Sequence, residues 1–255
     1  MNLFSKTTLL ALTALTPATV WAECKDLPGF DKLKPALDQA VAAETTGLKL
    51  HMWGTIVDRD GTVCAIAMSG FDRGAQWPGS RVISAQKANT ANAFGLDGLA
   101  LSTANLYSPT QPGGSLYGLQ ESNPVDTGVA YKGPALKFGT KQDPMMGGRP
   151  GGVNVFGGGL GLYNASRKII GAVGVSGDTS CRDHRIAWRV RNTLGLDNVL
   201  TVQGVSGDPQ RPDNMVFDIT DNPSGGTGKS AGGFGHPHCL GAATDGDPKT
   251  LPAVK

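Results

Sequence analysis

Aromatic residues are scarce, at 6% of the chain, and neither sign of charge dominates: 23 Lys and Arg stand against 21 Asp and Glu. Such neutrality leaves no basic footprint for nucleic acid and no electrostatic pull toward an anionic membrane. Long apolar runs are missing too. The one clear run, Leu9 to Val20, is too short to span a bilayer, so no membrane anchor is expected. The G-x-S-x-G elbow, a phosphate loop, the kinase set and a dinucleotide fingerprint are all absent. Ser176 in Gly174-Val175-Ser176-Gly177-Asp178 lacks the elbow's closing glycine. Asp183 and His184, being adjacent on a helix, point apart and form no relay with one serine.

What the chain has in excess is turn-forming residues, 37 glycines and 16 prolines, most of them beyond the usual share at 108–159 and 204–248. Lys6, the apolar run and the small-residue pattern Val20-Trp21-Ala22 read as a secretory signal over 1–22, cleaved after Ala22. Cleavage leaves 233 residues carrying 22 basic and 21 acidic side chains, enough for one elaborated domain with its own core. Cys24 follows Glu23 rather than a small residue, which argues against a lipoprotein anchor. The expected location is periplasmic or secreted. All four cysteines survive cleavage, and an even number in an exported chain favours disulfides. Of the three pairings, we favour Cys24 with Cys64, tying the new N-terminus to an early strand, and Cys181 with Cys239, tying the C-terminal tail to the Gly171 to Asp183 block. Sequence alone proves neither.

Patterning gives the order of elements. Phe30 to Glu44 reads as a helix and Leu48 to Val57 as a strand; Asp58-Arg59-Asp60-Gly61 is a hairpin turn into a strand over Thr62 to Met68. Ser80 to Phe94 is a helix, and a loop covers 102–152. Val153 to Tyr163 and Lys168 to Val175 form a second hairpin, and Cys181 to Leu194 a closing helix. A strand is expected near Asn214 to Asp218. Helices and hairpins in this order describe an α+β domain with an antiparallel sheet packed by helices.

Two blocks stand out. In Arg81 to Phe94 (RVISAQKANTANAF), Ile83, Lys87, Thr90, Ala91 and Phe94 share a helical face, so a cation and a hydroxyl interrupt an apolar stripe. Lys87 and Thr90 either snorkel and back-bond within the helix, or they wall a pocket for an anionic, largely apolar ligand. In Gly171 to Asp183 (GAVGVSGDTSCRD), a strand, a turn and a helix follow one another, with glycines at 171, 174 and 177. The turn is either a tight connection or a concavity of amides around Gly174, Ser176 and Gly177 that holds an anion. The string Gly-Val-Ser-Gly-Asp recurs at 204–208 without the flanking strand and helix, and we read that as coincidence.

With Gln111 to Gly118 (QPGGSLYG) between them, these blocks resemble the GlcG/HbpS-like haem-binding family over about 35–195. Lys87, Ala88, Thr90 and Ala91 stand for its helix motif, Gln111 to Gly113 for its loop, and Gly174 to Gly177 with Asp183 for the last. The resemblance implies a profilin-like sheet topology in a domain over 23–195, a tendency to form homo-oligomers, and haem as the small-molecule ligand. The 120–150 loop and the extension over 196–255, expected to pack on the same domain, are additions to the family pattern. Haem would be held non-covalently, since no Cys-x-x-Cys-His occurs. Its expected contacts are Lys87 to a carboxylate, Thr90, Phe94, Gly174, Ser176, Gly177, Asp183, and His51, which stands beside Trp53 in the strand pattern. His51, His236 and His238 are the candidate metal ligands, the last two flanking Pro237 before Cys239. The reading that follows is an exported haem-binding protein for storage, delivery or sensing. The alternatives are an enzyme acting on haem or a small oxidised metabolite, and an accessory protein binding a partner.

Overall fold

The computed structural model describes residues 23–226 and 228–255, so the signal segment 1–22 lies outside the described residues. Strands β1 (Trp53–Asp58), β2 (Val63–Met68), β3 (Gly159–Tyr163) and β4 (Ile169–Ser176) form one antiparallel sheet in the order β2-β1-β4-β3. Helix α2 (Ser80–Phe94) lies across one face. Helices α1 (Phe30–Ala43) and α3 (Ser180–Thr193) cover the other. The fold is therefore α+β, an antiparallel sheet between helices. Among the described residues, no helix is long and apolar enough to cross a membrane.

Alternation along β1 explains the layers. Trp53 and Val57 pack with Val82, Ala85, Ala88 and Ala91 of α2, while Met52 and Ile56 pack with Leu33 and Leu37 of α1. Both faces of the strand are thus buried. The side of α2 turned away from the sheet is covered as well, by the long connection from α2 to β3. There the Arg81 guanidinium is paired with Asp143 and donates to the Ala130 carbonyl, and Asn89 donates to the Gly152 carbonyl. This connection carries several single turns of helix, at 103–110, 127–130 and 135–137, in place of the plain loop expected.

Three expected strands differ from the sequence reading. The third strand begins at Gly159 rather than Val153, because the amides of Val153, Asn154 and Val155 are taken by the Asn123 carbonyl, the Thr90 hydroxyl and the Gln120 side chain. The first strand begins at Trp53 rather than Leu48, because the Asp178 carboxylate takes the amides of Leu48 and Leu50 and Lys49 turns into the left-handed region (φ 62°). No strand forms over 214–218: the Asn214 carbonyl accepts from Asn105 and the Val216 carbonyl from the His236 amide. The chain forms a short ladder next door, β5 (Ile219–Thr220) with β6 (Lys229–Ser230). Residues 196–255 then wrap back over α3. Trp188 donates its indole N–H to the Pro252 carbonyl, and Leu251 and Val254 join the α1/α3 core. Disulfides Cys24–Cys64 and Cys181–Cys239 close, with Cα atoms 5.1 and 6.1 Å apart, which is the pairing favoured from the sequence.

Candidate functional site

A cleft of about 1010 Å³ opens where the C-terminal end of α2, residues 101–116 and the β5–β6 hairpin meet. Phe94, Leu101, Leu106, Leu116 and Phe234 make its walls apolar, and Lys229 and Asp221 bring charge from the hairpin side. The Gln111 to Gly114 turn forms one rim. Its shape is set by Gly114 N donating to the Gln111 carbonyl, Leu116 N donating to the Pro109 carbonyl, and the Gln111 side-chain Nε2 donating to the Tyr107 carbonyl. A side chain at Gly114 would collide with the Pro109 carbonyl, so that glycine is required by close approach. The opposite rim is tied down by Ser108, whose hydroxyl donates to the Gly235 carbonyl, and by Asp218, which accepts from Ser230 and the Gly232 amide.

Beside the cleft lies a buried polar cluster. Lys87 and Asp183, each 2% exposed, form an ion pair at 2.7 Å, and the ammonium also donates to the Val175 carbonyl. Burial pushes the Asp183 carboxyl up to about 6, against the opposing pull of Lys87. His184 sits in the same layer with Nε2 3.1 Å from Asn214 Oδ1, and burial lowers its pKa to about 3. His236 is buried against the Tyr107 ring at 5.1 Å, and burial lowers it to about 4. Both imidazoles are therefore neutral at neutral pH.

These contacts place the residues singled out from the sequence. Of them, Phe94 lines the cleft, as does the Gln111 to Gly113 loop. Lys87 is not free to meet a ligand carboxylate, because Asp183 already takes its charge. Nor does it snorkel to water. The Thr90 hydroxyl back-bonds to the Gln86 carbonyl and accepts the Asn154 amide, so it ties the α2–β3 connection to the helix. Gly174 and Gly177 are glycines for packing: a Cβ at Gly174 would strike the Ser84 carbonyl and Ala88 amide, and one at Gly177 the His51 carbonyl. The turn after β4 does cradle an anion, but the anion is the chain's own. Asp183 Oδ1 accepts the Asp178 amide at 2.9 Å, and Asp178 in turn accepts the Thr179 amide. Ser176 is buried at the end of β4, paired with Trp53. His51 lies just before β1 with Nδ1 3.0 Å from Ser69 Oγ, outside the cleft lining. His238 stacks on Phe217 with ring centroids 4.1 Å apart and pairs with Asp245 at 3.0 Å.

Sequence reasoning missed Phe234 and Lys229 as cleft residues. Both sit in a glycine-rich stretch with no periodicity to mark a wall. It also missed the buried pair Arg191–Asp213, 2.6 Å apart, which binds the tail to α3.

The family model described as "Haem degrading protein HbpS-like" matches residues 33–191. The chain belongs to that HbpS-like family. The match begins inside α1, spans α2 and the whole four-stranded sheet, and ends inside α3, so β5–β6 and the rest of the tail lie beyond it. Solved structures that this chain is similar to include Klebsiella pneumoniae protein ORFY, 22% identical, covering 71% of this chain and 97% of that one with a TM-score of 0.45. Another is the PduOC:heme complex, at 23% identity, covering 64% and 89% with a TM-score of 0.44. A double mutant of Streptomyces reticuli HbpS is 14% identical, covering 74% and 98% with a TM-score of 0.35. No curated protein matches.

Proposed function

We propose that this HbpS-like protein binds haem non-covalently in the cleft between α2, the Gln111 to Gly114 turn and the β5–β6 hairpin. The observation that carries the reading is the cleft itself, built in part from one of the three motifs that mark the family, the Gln111 to Gly113 loop, together with Phe94 at the end of the helix block. Its volume lies at the upper end of the roughly 300–1,000 Å³ usual for small-molecule sites, which suits a large flat ligand. Phe94, Leu106, Leu116 and Phe234 offer apolar faces for a macrocycle, and the Lys229 ammonium offers a partner for a propionate. Lys87, Thr90 and Asp183 then serve the site by holding the wall behind it. The leader-like segment and the two disulfides support an exported protein. Storage, delivery and sensing are all compatible with reversible binding.

Titration of the purified protein with haem tests this. The parent chain is expected to give a saturable Soret band at one haem per chain, and Lys229→Glu and Phe94→Asp each to raise the dissociation constant at least about tenfold, equivalent to about 1.4 kcal/mol. Equal titration of parent and both variants would remove the cleft from consideration. The family's description, haem degrading, supports a second reading in which bound haem is consumed. Loss of the Soret band on adding reductant and dioxygen, with release of iron, would establish it; a stable band would leave binding alone.

A further inference from the structure

The Cys181–Cys239 disulfide closes beside a buried histidine, one of whose ring nitrogens has no hydrogen-bond partner among the described residues. Cys181 Sγ, Cys239 Sγ and one of the two ring nitrogens of His236 all lie within 4.8 Å of one another. His236 is 1% exposed, and its Nδ1 sits 2.7 Å from the Pro237 carbonyl oxygen. A carbonyl only accepts, so Nδ1 carries the proton and Nε2 the lone pair. That Nε2 is buried and has no hydrogen-bond partner among the described residues. An imidazole fixed by a backbone carbonyl, with its free lone pair turned into the protein, has the arrangement of a metal-ligating histidine.

We propose that Cys181, Cys239 and His236 form a redox-gated site for a borderline-soft cation of the zinc class, closed in the disulfide state and opened by reduction. Cys239 is the more exposed of the two residues, and a small dithiol attacks there. The dithiol gives up two electrons and becomes a disulfide, and Cys181 and Cys239 become thiols. The cation then binds both sulfurs and displaces two protons to water. Two thiolates and an imidazole make three ligands of a tetrahedral site and leave the fourth position to water. Zinc-bound sulfurs at about 2.3 Å stand about 3.8 Å apart in such a geometry, which asks for only a small separation of the two side chains. The N-terminal turn of α3 assists: the Cys181 amide lies 3.1 Å from Cys239 Sγ and the Ser180 hydroxyl 3.3 Å, so donors for a thiolate are already in place. The cation would replace the covalent staple and keep the tail on α3 after reduction. None of the three ligands lines the cleft, so cation binding here can be tested whether or not the cleft takes haem.

Cobalt(II) is the probe. The full chain is reduced with a phosphine, titrated with cobalt(II), and then alkylated and mapped by peptide mass. One cobalt per chain is expected, with thiolate-to-cobalt charge transfer and the visible bands of tetrahedral cobalt, and with Cys181 and Cys239 protected while Cys24 and Cys64 are labelled. The unreduced chain should give no such bands. His236→Phe should weaken cobalt binding by about 10- to 100-fold. Absence of thiolate bands in the reduced chain, labelling of Cys181 and Cys239 despite bound cobalt, or unchanged affinity in His236→Phe would each overturn the proposal. The labelling map needs no variant, so it decides even if His236→Phe fails to fold.

Discussion

Replacing Lys87 strips its paired cation from a carboxylate that is 2% exposed. The ammonium and Asp183 lie between α2 and the start of α3, so their pair joins elements on opposite faces of the sheet. Removing one partner of a buried pair typically costs about 3–5 kcal/mol, because the other is left charged and dry. Lys87→Met is therefore expected to lower unfolding free energy by that amount in urea denaturation. Lys87→Met with Asp183→Asn should recover part of the loss, since the amide still accepts the Asp178 N–H without a charge. An unaltered urea midpoint in Lys87→Met would mean the pair contributes nothing. The oddity of Lys87 was legible in the sequence as a cation on an apolar stripe. Its partner was not: Asp183 lies 96 residues further on, and helical periodicity carries no information about contacts across a sheet.

Among the elements, α2 and β4 approach closely, and it is glycine that permits it. Ser84, Ala85, Ala88 and Ala91 give the helix a shallow surface, and Gly174 gives the sheet a matching gap. Gly159 on β3 plays the same part under the Lys87 carbonyl. A methyl group at Gly174 has only backbone to displace, so it must lift the helix from the sheet. Gly174→Ala is expected to cost about 3 kcal/mol or more, the upper range for overpacking, and to show as a lowered melting temperature. Gly98→Ala, where a Cβ would meet nothing, is the control and should melt near the parent. The elements themselves were readable from the chain, because hairpin turns and alternating or 3.6-residue apolar patterns are local. Where they begin was less so. Asp178 reaches back 130 residues to hold the Leu48 amide, and that distant contact, with the left-handed turn at Lys49 between the two amides it holds, delays β1.

At the scale of the whole molecule, the two disulfides do unequal work although they close loops of similar size. Their sequence separations of 40 and 58 correspond to about 4 kcal/mol of unfolded-chain entropy each. Cys24–Cys64 ties the segment before α1 to β2, far along the chain from any cleft residue. Cys181–Cys239 is different. The β5–β6 hairpin leaves the core after Asp213, which is locked to Arg191, and returns at Cys239, so one buried ion pair and one disulfide bracket a wall of the cleft. Between those anchors the hairpin has a ladder of only two residue pairs and a few side-chain bonds, too little to hold its position alone. Ser substitution of Cys24 and Cys64 is therefore expected to lower stability by about 4 kcal/mol and leave haem affinity of the folded protein unchanged. Ser substitution of Cys181 and Cys239 should lower stability by a similar amount and also weaken haem binding, because the ligand must then restrain a wall the staple had already fixed. Urea unfolding of both double variants, with haem titration under conditions where each is folded, separates the two effects. Equal affinities would show that the wall is held from elsewhere.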